Sequence, residues 1–201
     1  MMICTFSSSL YSQIEQPNEK ELDSLKVKLE TLFMEDQLFR GMYQDAEKKY
    51  GQYSAEMEYF WKVVEEQDER IEIEFINILE KYGWLGMNQV GRLANGALFS
   101  IIQHSSIATK EKYAPLMKES VLKNQSQPMH YARLIDRILV NDKKPQIYGS
   151  QTTKDENGNT IFFEIEKPKN VNKRRKEIGL PRIESFAKER GIEWNVAQKL
   201  K

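Results

Sequence analysis

The sequence is poor in the residues that mark redox and metal chemistry. Among its 201 residues it has one cysteine, Cys4, and two histidines, His104 and His130. A single cysteine excludes an intramolecular disulfide. The spacings H-x-x-x-H, H-E-x-x-H and C-x-x-C, which place ligands around a metal ion, are all absent. We therefore assign no metal ligand and no cofactor. One histidine with two or three aspartates could hold a divalent metal, which is the weaker interpretation, and whether a metal binds stays open.

An excess of one charge and a long apolar run are missing as well. The 30 lysines and arginines balance the 30 aspartates and glutamates, whereas nucleic-acid and membrane-surface binding need an excess of positive charge. No run reaches the roughly 18 apolar residues of a membrane span. With 10 glycines and 6 prolines, the chain is neither low-complexity nor collagen-like. We predict no nucleic-acid partner and no integral membrane segment.

The sequence also lacks the glycine-rich and nucleophile motifs that identify common enzymes. It contains no phosphate-binding G-x-x-x-x-G-K-[ST] loop, no G-x-G-x-x-G fingerprint and no G-x-S-x-G elbow. Cys4 lies in an apolar stretch, which makes it a poor nucleophile. Catalysis would have to use other residues, and the sequence leaves open whether the protein is an enzyme.

The first 17 residues differ from the rest of the chain. The stretch "MMICTFSSSLYSQ" has no charged residue before Glu15 and is similar to the end of a secretion signal, but it lacks a basic region and its apolar part is short. Three interpretations stay open: a disordered start, a signal truncated by a late start codon, or a short leader. The compartment stays open too: cytoplasmic, or secreted or periplasmic if residues 1–13 are a truncated signal.

From residue 18 onwards the pattern is mainly that of helices around a core, since 40% of the residues are hydrophobic. Apolar residues recur at three- and four-residue spacings. Ser54 suits a helix N-cap and Gly83 a helix C-cap. The spacing predicts three long helices, over residues 18–50, 54–82 and 87–104, and the third is apolar almost all round. Two shorter helices follow. One starts at about residue 109 with a possible break at Pro115, and the other starts at Pro128.

The pattern changes to that of β-strands near residue 145. The runs "QIYGSQTT" and "TIFFEIE" are β-type, and Asn157-Gly158 between them is a strong hairpin-turn signal. Short helical segments that end at Gly179 and Gly191 follow. We therefore predict a mainly α fold: one compact multi-helix domain over residues 18–201, with one antiparallel β-hairpin at about 145–166 and a helical C-terminal tail. The oligomeric state stays open.

Four ionisable side chains fall on positions that the helical period assigns to the core. Burying an unpaired carboxylate is costly, so each needs a partner. Arg40, one turn after Asp36, and Arg137, next to Asp136, are candidate partners. We expect some of these groups to meet in one shared polar pocket. Asp68 is the weakest candidate because its charged neighbours indicate a solvated turn. The four are Asp36, Asp68, His104 and Asp136.

An ordered series of short motifs resembles a family of bacterial proteins known only as a domain of unknown function. The motifs are "DQLFR" at 36–40, "GW" at 83–84, "QH" at 103–104, "DR" at 136–137, "QIYGSQ" at 146–151 and "VNKRRKEIGL" at 171–180. The resemblance spans roughly residues 30–190, and many members look secreted or lipid-anchored. The sequence departs from the family pattern at two positions: Ser150 stands where threonine is expected, and Ile71 stands where a polar residue is expected. The resemblance implies no activity, but it nominates a shared set of polar residues: Asp36, Gln37, Arg40, Gln103, His104, Asp136, Arg137, Gln146, Tyr148, Gln151, Arg174 and Arg175.

Two functional hypotheses follow. The favoured one is a binding or interaction module whose buried polar pocket takes a small polar or anionic ligand. The alternative is a hydrolase-like enzyme in which His104 transfers protons and Asp136 or Asp36 fixes its tautomer. A histidine on an apolar face is also a common core residue with no catalytic part. The ligand-binding candidates are Gln37, Arg40, Gln103, Arg137, Gln146, Tyr148, Gln151, Arg174 and Arg175.

Overall fold

The computed structural model of the chain describes residues 14–194. Residues 1–13, for which a truncated signal is one of the three open interpretations, lie outside them. The described chain forms two compact units, one ending at Ser105 and the other beginning at Ser106. It is mainly helical, with one two-stranded antiparallel hairpin late in the chain. The predicted fold class is confirmed. That residues 18–201 act as one domain stays a prediction.

The first unit is built from three helices: α1 (Glu19–Tyr50), α2 (Ala55–Tyr82) and α3 (Met87–His104). A capping box between Asn18 and Glu21 starts α1, and the Ser54 side chain accepts a hydrogen bond from the Met57 amide at the start of α2. These side chains accept hydrogen bonds from first-turn amides that would otherwise lack a partner. The two helices therefore begin within one residue of the predicted positions 18 and 54.

The core of the first unit fixes the directions of its helices. Leu29 and Leu32 of α1 and Phe75 of α2 are fully buried. Helices α1 and α2 are antiparallel, because Lys28 near the start of α1 pairs with Glu74, and Arg40 further along α1 pairs with Asp68, which comes earlier in α2. Glu15, just before α1, bonds the carbonyl of Lys81 at the end of α2, and α3 begins shortly afterwards at Met87. The other end of α3 meets Asp36 and Arg40 further along α1, so α3 runs parallel to α1.

The second unit contains four helices and the hairpin. They are α4 (Ile107–Leu122), α5 (Pro128–Asn141), β1 (Thr152–Lys154), β2 (Thr160–Phe162), α6 (Val171–Glu177) and α7 (Ile183–Glu189), with a short 3-10 turn at Pro168–Asn170. Strand β1 pairs with β2 with Thr153 opposite Ile161. The possible break at Pro115 does not occur, because α4 continues through that residue.

The hairpin is shorter than the β-type runs in the sequence. Residues 146–151 form a loop rather than a strand, and Gly149 in that loop has a φ of +70°. A single bridge between Gln146 and Ile165 is the only β-type pairing of this loop among the described residues. Across residues 14–194, none of the helices has both the length and the apolar character needed to cross a membrane.

Candidate functional site

Residues from all three helices of the first unit meet at the C-terminal end of α3. Asp36 and Arg40 lie one turn apart on α1, and His104 is the last residue of α3. Nδ1 of His104 lies 2.7 Å from Oδ1 of Asp36. Arg40 donates from Nε to Nε2 of His104 at 3.1 Å and from Nη2 to Oδ2 of Asp68 at 2.6 Å. We call these four residues the His104 network.

The contacts of the imidazole determine its tautomer. Nε2 of His104 accepts a hydrogen bond from Arg40, so Nε2 carries no proton. The ring proton is therefore on Nδ1, which donates to the carboxylate of Asp36. His104 is neutral in this arrangement, with an acceptor nitrogen on the side of Arg40.

Asp36 is the buried anchor of the His104 network. Its side chain is 1% exposed, and its Oδ2 accepts from Gln37 Nε2 at 2.6 Å and from Ser100 Oγ at 2.9 Å. Burial is the largest influence on the pKa of Asp36 and raises it. The hydrogen bond of His104 and the contacts of Gln37 and Arg40 outweigh burial, so the pKa lies below its usual value. Asp36 is therefore a stable anion that fixes the imidazole.

The opposite edge of the His104 network reaches solvent. The side chains of His104 and Arg40 are 25% and 20% exposed. Oδ1 of Asp68 is buried and has no hydrogen-bond partner among residues 14–194. Two carboxylates face one guanidinium and a neutral imidazole, so the network carries more negative than positive charge. It is thus short of hydrogen-bond donors and positive charge rather than of acceptors.

Asp136 is the centre of a second polar cluster, which lies in the second unit. Its side chain is fully buried, and its carboxylate accepts from the main-chain amides of Ile147, Tyr148 and Ser150 at 2.8–3.0 Å. Burial raises the pKa of Asp136 against the opposing effect of these amides. The 146–151 loop therefore wraps around one carboxylate.

The other predicted residues of the second unit hold the same loop in place. Gln146 bonds the amide and carbonyl of Gln151 and the carbonyl of Phe163. Arg174 donates to the carbonyl of Ile147. Arg175, fully buried, donates to the carbonyl of Tyr148. These side chains bond main-chain oxygens and nitrogens, which indicates a positioning role for them.

The structure thus brings the predicted residues together in two groups, one in each unit. The first contains Asp36, Gln37, Arg40 and His104, and Asp36 is the carboxylate that contacts the imidazole. Gln103 is buried next to His104, and its Nε2 has no hydrogen-bond partner in the described part of the chain. Arg137 is half-buried on α5. The second group contains Asp136, Gln146, Tyr148, Gln151, Arg174 and Arg175.

Two further residues that bond the first group received little or no weight from the sequence. Ser100 lies one turn before His104 on α3 and bonds Asp36, but nothing in its local pattern separates it from an ordinary helical serine. Asp68 has charged neighbours that suggest solvent, yet the helical period does place it on the core face. Its partner Arg40 lies on another helix, so local sequence cannot reveal the ion pair.

The arrangement of side chains in the two groups differs from that of a ligand set for a metal ion. In the described part of the chain, no three histidine, cysteine or carboxylate side chains are grouped as metal ligands. In the His104 network the guanidinium of Arg40 contacts both the imidazole and the Asp68 carboxylate, which a divalent cation would require as ligands.

The chain belongs to a family whose biochemical role is not defined. The matching family model is described as "Family of unknown function (DUF6624)" and covers residues 25–199. This confirms the resemblance seen in the ordered motifs. No curated protein and no solved structure matches the chain.

Proposed function

We propose that the first unit binds a small polar ligand at the exposed edge of the His104 network. The observation that carries this proposal is the fixed imidazole: Asp36 holds Nδ1 from the buried side, while Nε2 and Arg40 lie at the partly exposed side. Rigidly held polar groups at a solvent-accessible edge are typical of small-molecule sites.

The charge of the network favours a ligand that donates hydrogen bonds. Among residues 14–194 no donor reaches Oδ1 of Asp68, and the carboxylates outnumber the guanidinium. An anion would have to displace Asp68 from Arg40, with which it pairs at 2.6 Å. A hydroxyl or ammonium group adds the missing donors without breaking that ion pair. We therefore place donors ahead of anions among the polar ligands.

Aromatic side chains continue the same helix faces beyond the end of α3. Tyr43 lies one turn after Arg40 on α1, and Trp61 lies two turns before Asp68 on α2. Their ring centroids are 5.2 Å apart, and Trp61 is 42% exposed. An indole face beside carboxylates attracts ammonium groups. This pair supports a ligand with an amine or an apolar part next to its polar group.

A second candidate function, acid–base catalysis, is favoured by the tautomer of His104. An imidazole that donates from Nδ1 to a buried carboxylate has its Nε2 lone pair ready to accept a proton. A substrate hydroxyl or water in place of the Arg40 Nε–H would transfer its proton to Nε2, and Asp36 would stabilise the imidazolium. Arg40 would remain paired with Asp68 through Nη2.

The experiment uses the imidazole signals of the full chain in long-range 1H–15N spectra. His104 and His130 are the only histidines, so His130 serves as a control in the other unit. The probes are a panel of amino alcohols, polyols and short carboxylates, with ethanolamine, glycerol and acetate as its simplest members. We expect donors to shift the His104 signals and leave those of His130 in place.

A matched pair of variants ties the response to the network. Arg40→Gln removes the guanidinium that contacts His104, and Lys48→Gln removes a charge from the exposed end of the same helix. We expect the first variant to change the probe response and the second to preserve it. A panel in which no probe shifts His104 more than His130 would overturn the binding proposal.

A further inference from the structure

The sequence contains the dipeptide Asn-Gly twice, and the structure places the two copies in opposite surroundings. Asn95-Gly96 lies inside α3, and Asn157-Gly158 lies between β1 and β2. Asparagine cyclises most readily before glycine, because glycine has no side chain to shield its main-chain nitrogen. The fold therefore decides which of the two copies can react.

Asn95 is held by its side chain and by its main chain. It is 1% exposed, and its Nδ2 donates to the carbonyl of Leu85 at 2.8 Å. The nitrogen of Gly96 belongs to α3, where each amide bonds a carbonyl one turn earlier. Cyclisation would require Asn95 to leave Leu85 and the helix to open in the core of the first unit. An opening of that kind costs nearly as much free energy as unfolding the unit.

Asn157 lies at the tip of the hairpin, where far less holds it. Asn157 and Gly158 are both exposed, and no hydrogen bond within residues 14–194 involves the side-chain amide of Asn157. The Gly158 amide donates to the carbonyl of Asp155 at 3.0 Å. Opening this one turn bond at a loop tip costs little free energy compared with opening a helix in the core. The two atoms that must meet, the Gly158 nitrogen and Cγ of Asn157, are therefore accessible.

A second asparagine of the same turn provides a comparison. Asn159 is exposed as well, but its Nδ2 donates to Oδ2 of Asp155 at 3.0 Å. The next residue is Thr160, whose branched side chain crowds the nitrogen that would attack. Asn159 therefore shares the exposure of Asn157 but has neither its unbound amide nor the glycine that follows it.

We propose that Asn157 is a site of spontaneous deamidation in the folded protein and that Asn95 is protected. The Gly158 nitrogen gives up its proton and bonds to Cγ of Asn157, and Nδ2 leaves with that proton as ammonia. The resulting five-membered succinimide then takes up one water molecule. Cleavage of the bond between the Gly158 nitrogen and Cγ gives aspartate. Cleavage of the bond between that nitrogen and the main-chain carbonyl carbon gives isoaspartate.

Either product changes the hairpin turn. Both add a negative charge next to Asp155 and Glu156, and isoaspartate also adds a methylene group to the main chain. Oδ1 of Asp155 accepts from the amides of Asn157 at 2.9 Å and Asn159 at 2.8 Å. The longer main chain shifts the second of these amides, so we expect the Asn159 amide to exchange faster with solvent in the isoaspartate form.

The test incubates the full chain in water labelled with oxygen-18 and then digests it with trypsin in ordinary water. Only a residue that was hydrolysed during the incubation carries the label, and fragmentation of the peptides in a mass spectrometer assigns the label to one position. We expect labelling at position 157 to be about ten-fold or more faster than at position 95, because the turn opens more easily than α3. Position 159, which lacks the following glycine, should also label more slowly than position 157.

The same labelling in urea shows whether the fold causes the difference. In the unfolded chain both Asn-Gly copies are released, so positions 95 and 157 should react within about three-fold of each other. Equal rates at these two positions in the folded protein would contradict the proposal. A position 157 that reacts in urea but stays unlabelled in the folded protein would contradict it as well.

Two matched glycine variants test the attacking nitrogen. Gly158→Ala places a methyl group beside that nitrogen and should slow labelling at position 157 about ten-fold or more. Gly96→Ala makes the same change at the other copy and should leave the rate at position 157 within about two-fold of the parent rate. If Gly158→Ala reacts as fast as the parent, the reaction does not pass through the succinimide and the proposal fails.

Discussion

His104 donates its Nδ1–H to Asp36 across 68 positions of sequence, at a distance of 2.7 Å. Because α3 runs parallel to α1, the last residue of α3 reaches the level of Asp36 and Arg40. The pair joins a buried anion to a partly exposed acceptor nitrogen, which is the feature on which the proposed binding site depends.

The tautomer of His104 is the most direct prediction of this geometry. Free histidine favours a proton on Nε2, but the Arg40 N–H at 3.1 Å excludes one there. We expect 15N chemical shifts of a neutral His104 with a protonated Nδ1 and an unprotonated Nε2. A His130→Gln variant assigns the signals. Shifts that place the proton on Nε2 would show that the contacts of Asp36 and Arg40 do not form in solution.

Asp36→Asn should destabilise the protein in a pH-dependent way. The substitution weakens hydrogen bonds from three side chains to a buried carboxylate, and we expect a loss of about 2–3 kcal/mol in the free energy of unfolding at pH 7. The folded-state pKa of Asp36 is lowered. Its stabilising effect is therefore complete above the unfolded-state pKa of about 3.9 and is lost as pH falls through the lower folded-state pKa.

Urea unfolding at several pH values measures this effect. The difference between the parent and Asp36→Asn should stay constant from neutral pH down to about pH 5 and shrink below about pH 4. Asp45→Asn, at an exposed position of the same helix, should show no such difference. A constant difference down to pH 2 would mean that the carboxylate charge is not what Asp36 contributes.

Asp136→Asn should destabilise the second unit. The amide keeps one acceptor oxygen, so its NH2 group faces at least one of the three main-chain N–H donors that Asp136 now binds. We expect a loss of about 2–4 kcal/mol, since a buried donor is left without a partner. Hydrogen exchange of the Tyr148 and Ser150 amides checks this directly. Asp142→Asn, exposed just after α5, should leave their exchange unchanged.

Gly149→Ala should be more harmful than Gly158→Ala, although both glycines have positive φ values of +70° and +81°. Either alanine adds backbone strain of about 1–2 kcal/mol. A Cβ at position 149 would also lie 2.5 Å from Cδ1 of Ile183, whereas one at position 158 meets nothing within 4 Å.

The double variant Gly149→Ala with Ile183→Val tests the cause. Valine lacks the Cδ1 atom that the new Cβ would meet, so part of the loss should be recovered relative to the sum of the two single variants. The free energies of unfolding of the parent, the two single variants and the double variant measure the coupling. Additive losses would show that the clash with Ile183 is not the reason for glycine at this position.

The helices of the first unit were predictable because their signals are local. Ser54 and Gly83 mark the two ends of α2, and the buried stripe of α1 follows the 3.6-residue period. The turn at Asn157-Gly158 was predictable for the same reason, since the hairpin strands flank it. The strand expected at residues 146–151 was wrong. That segment is a loop because Asp136, on a different element, draws three of its amides to one carboxylate.

The sequence by itself determined the helical period, the caps and the core positions at which Asp36, His104 and Asp136 stand, because these depend on neighbours within a few residues. The tertiary structure alone decided their partners. In the folded chain His104 is hydrogen-bonded to Asp36, Arg40 forms an ion pair with Asp68, and main-chain amides surround the carboxylate of Asp136. A buried charge takes whichever donor the packing of distant segments brings within hydrogen-bond distance, and no local pattern encodes that distance.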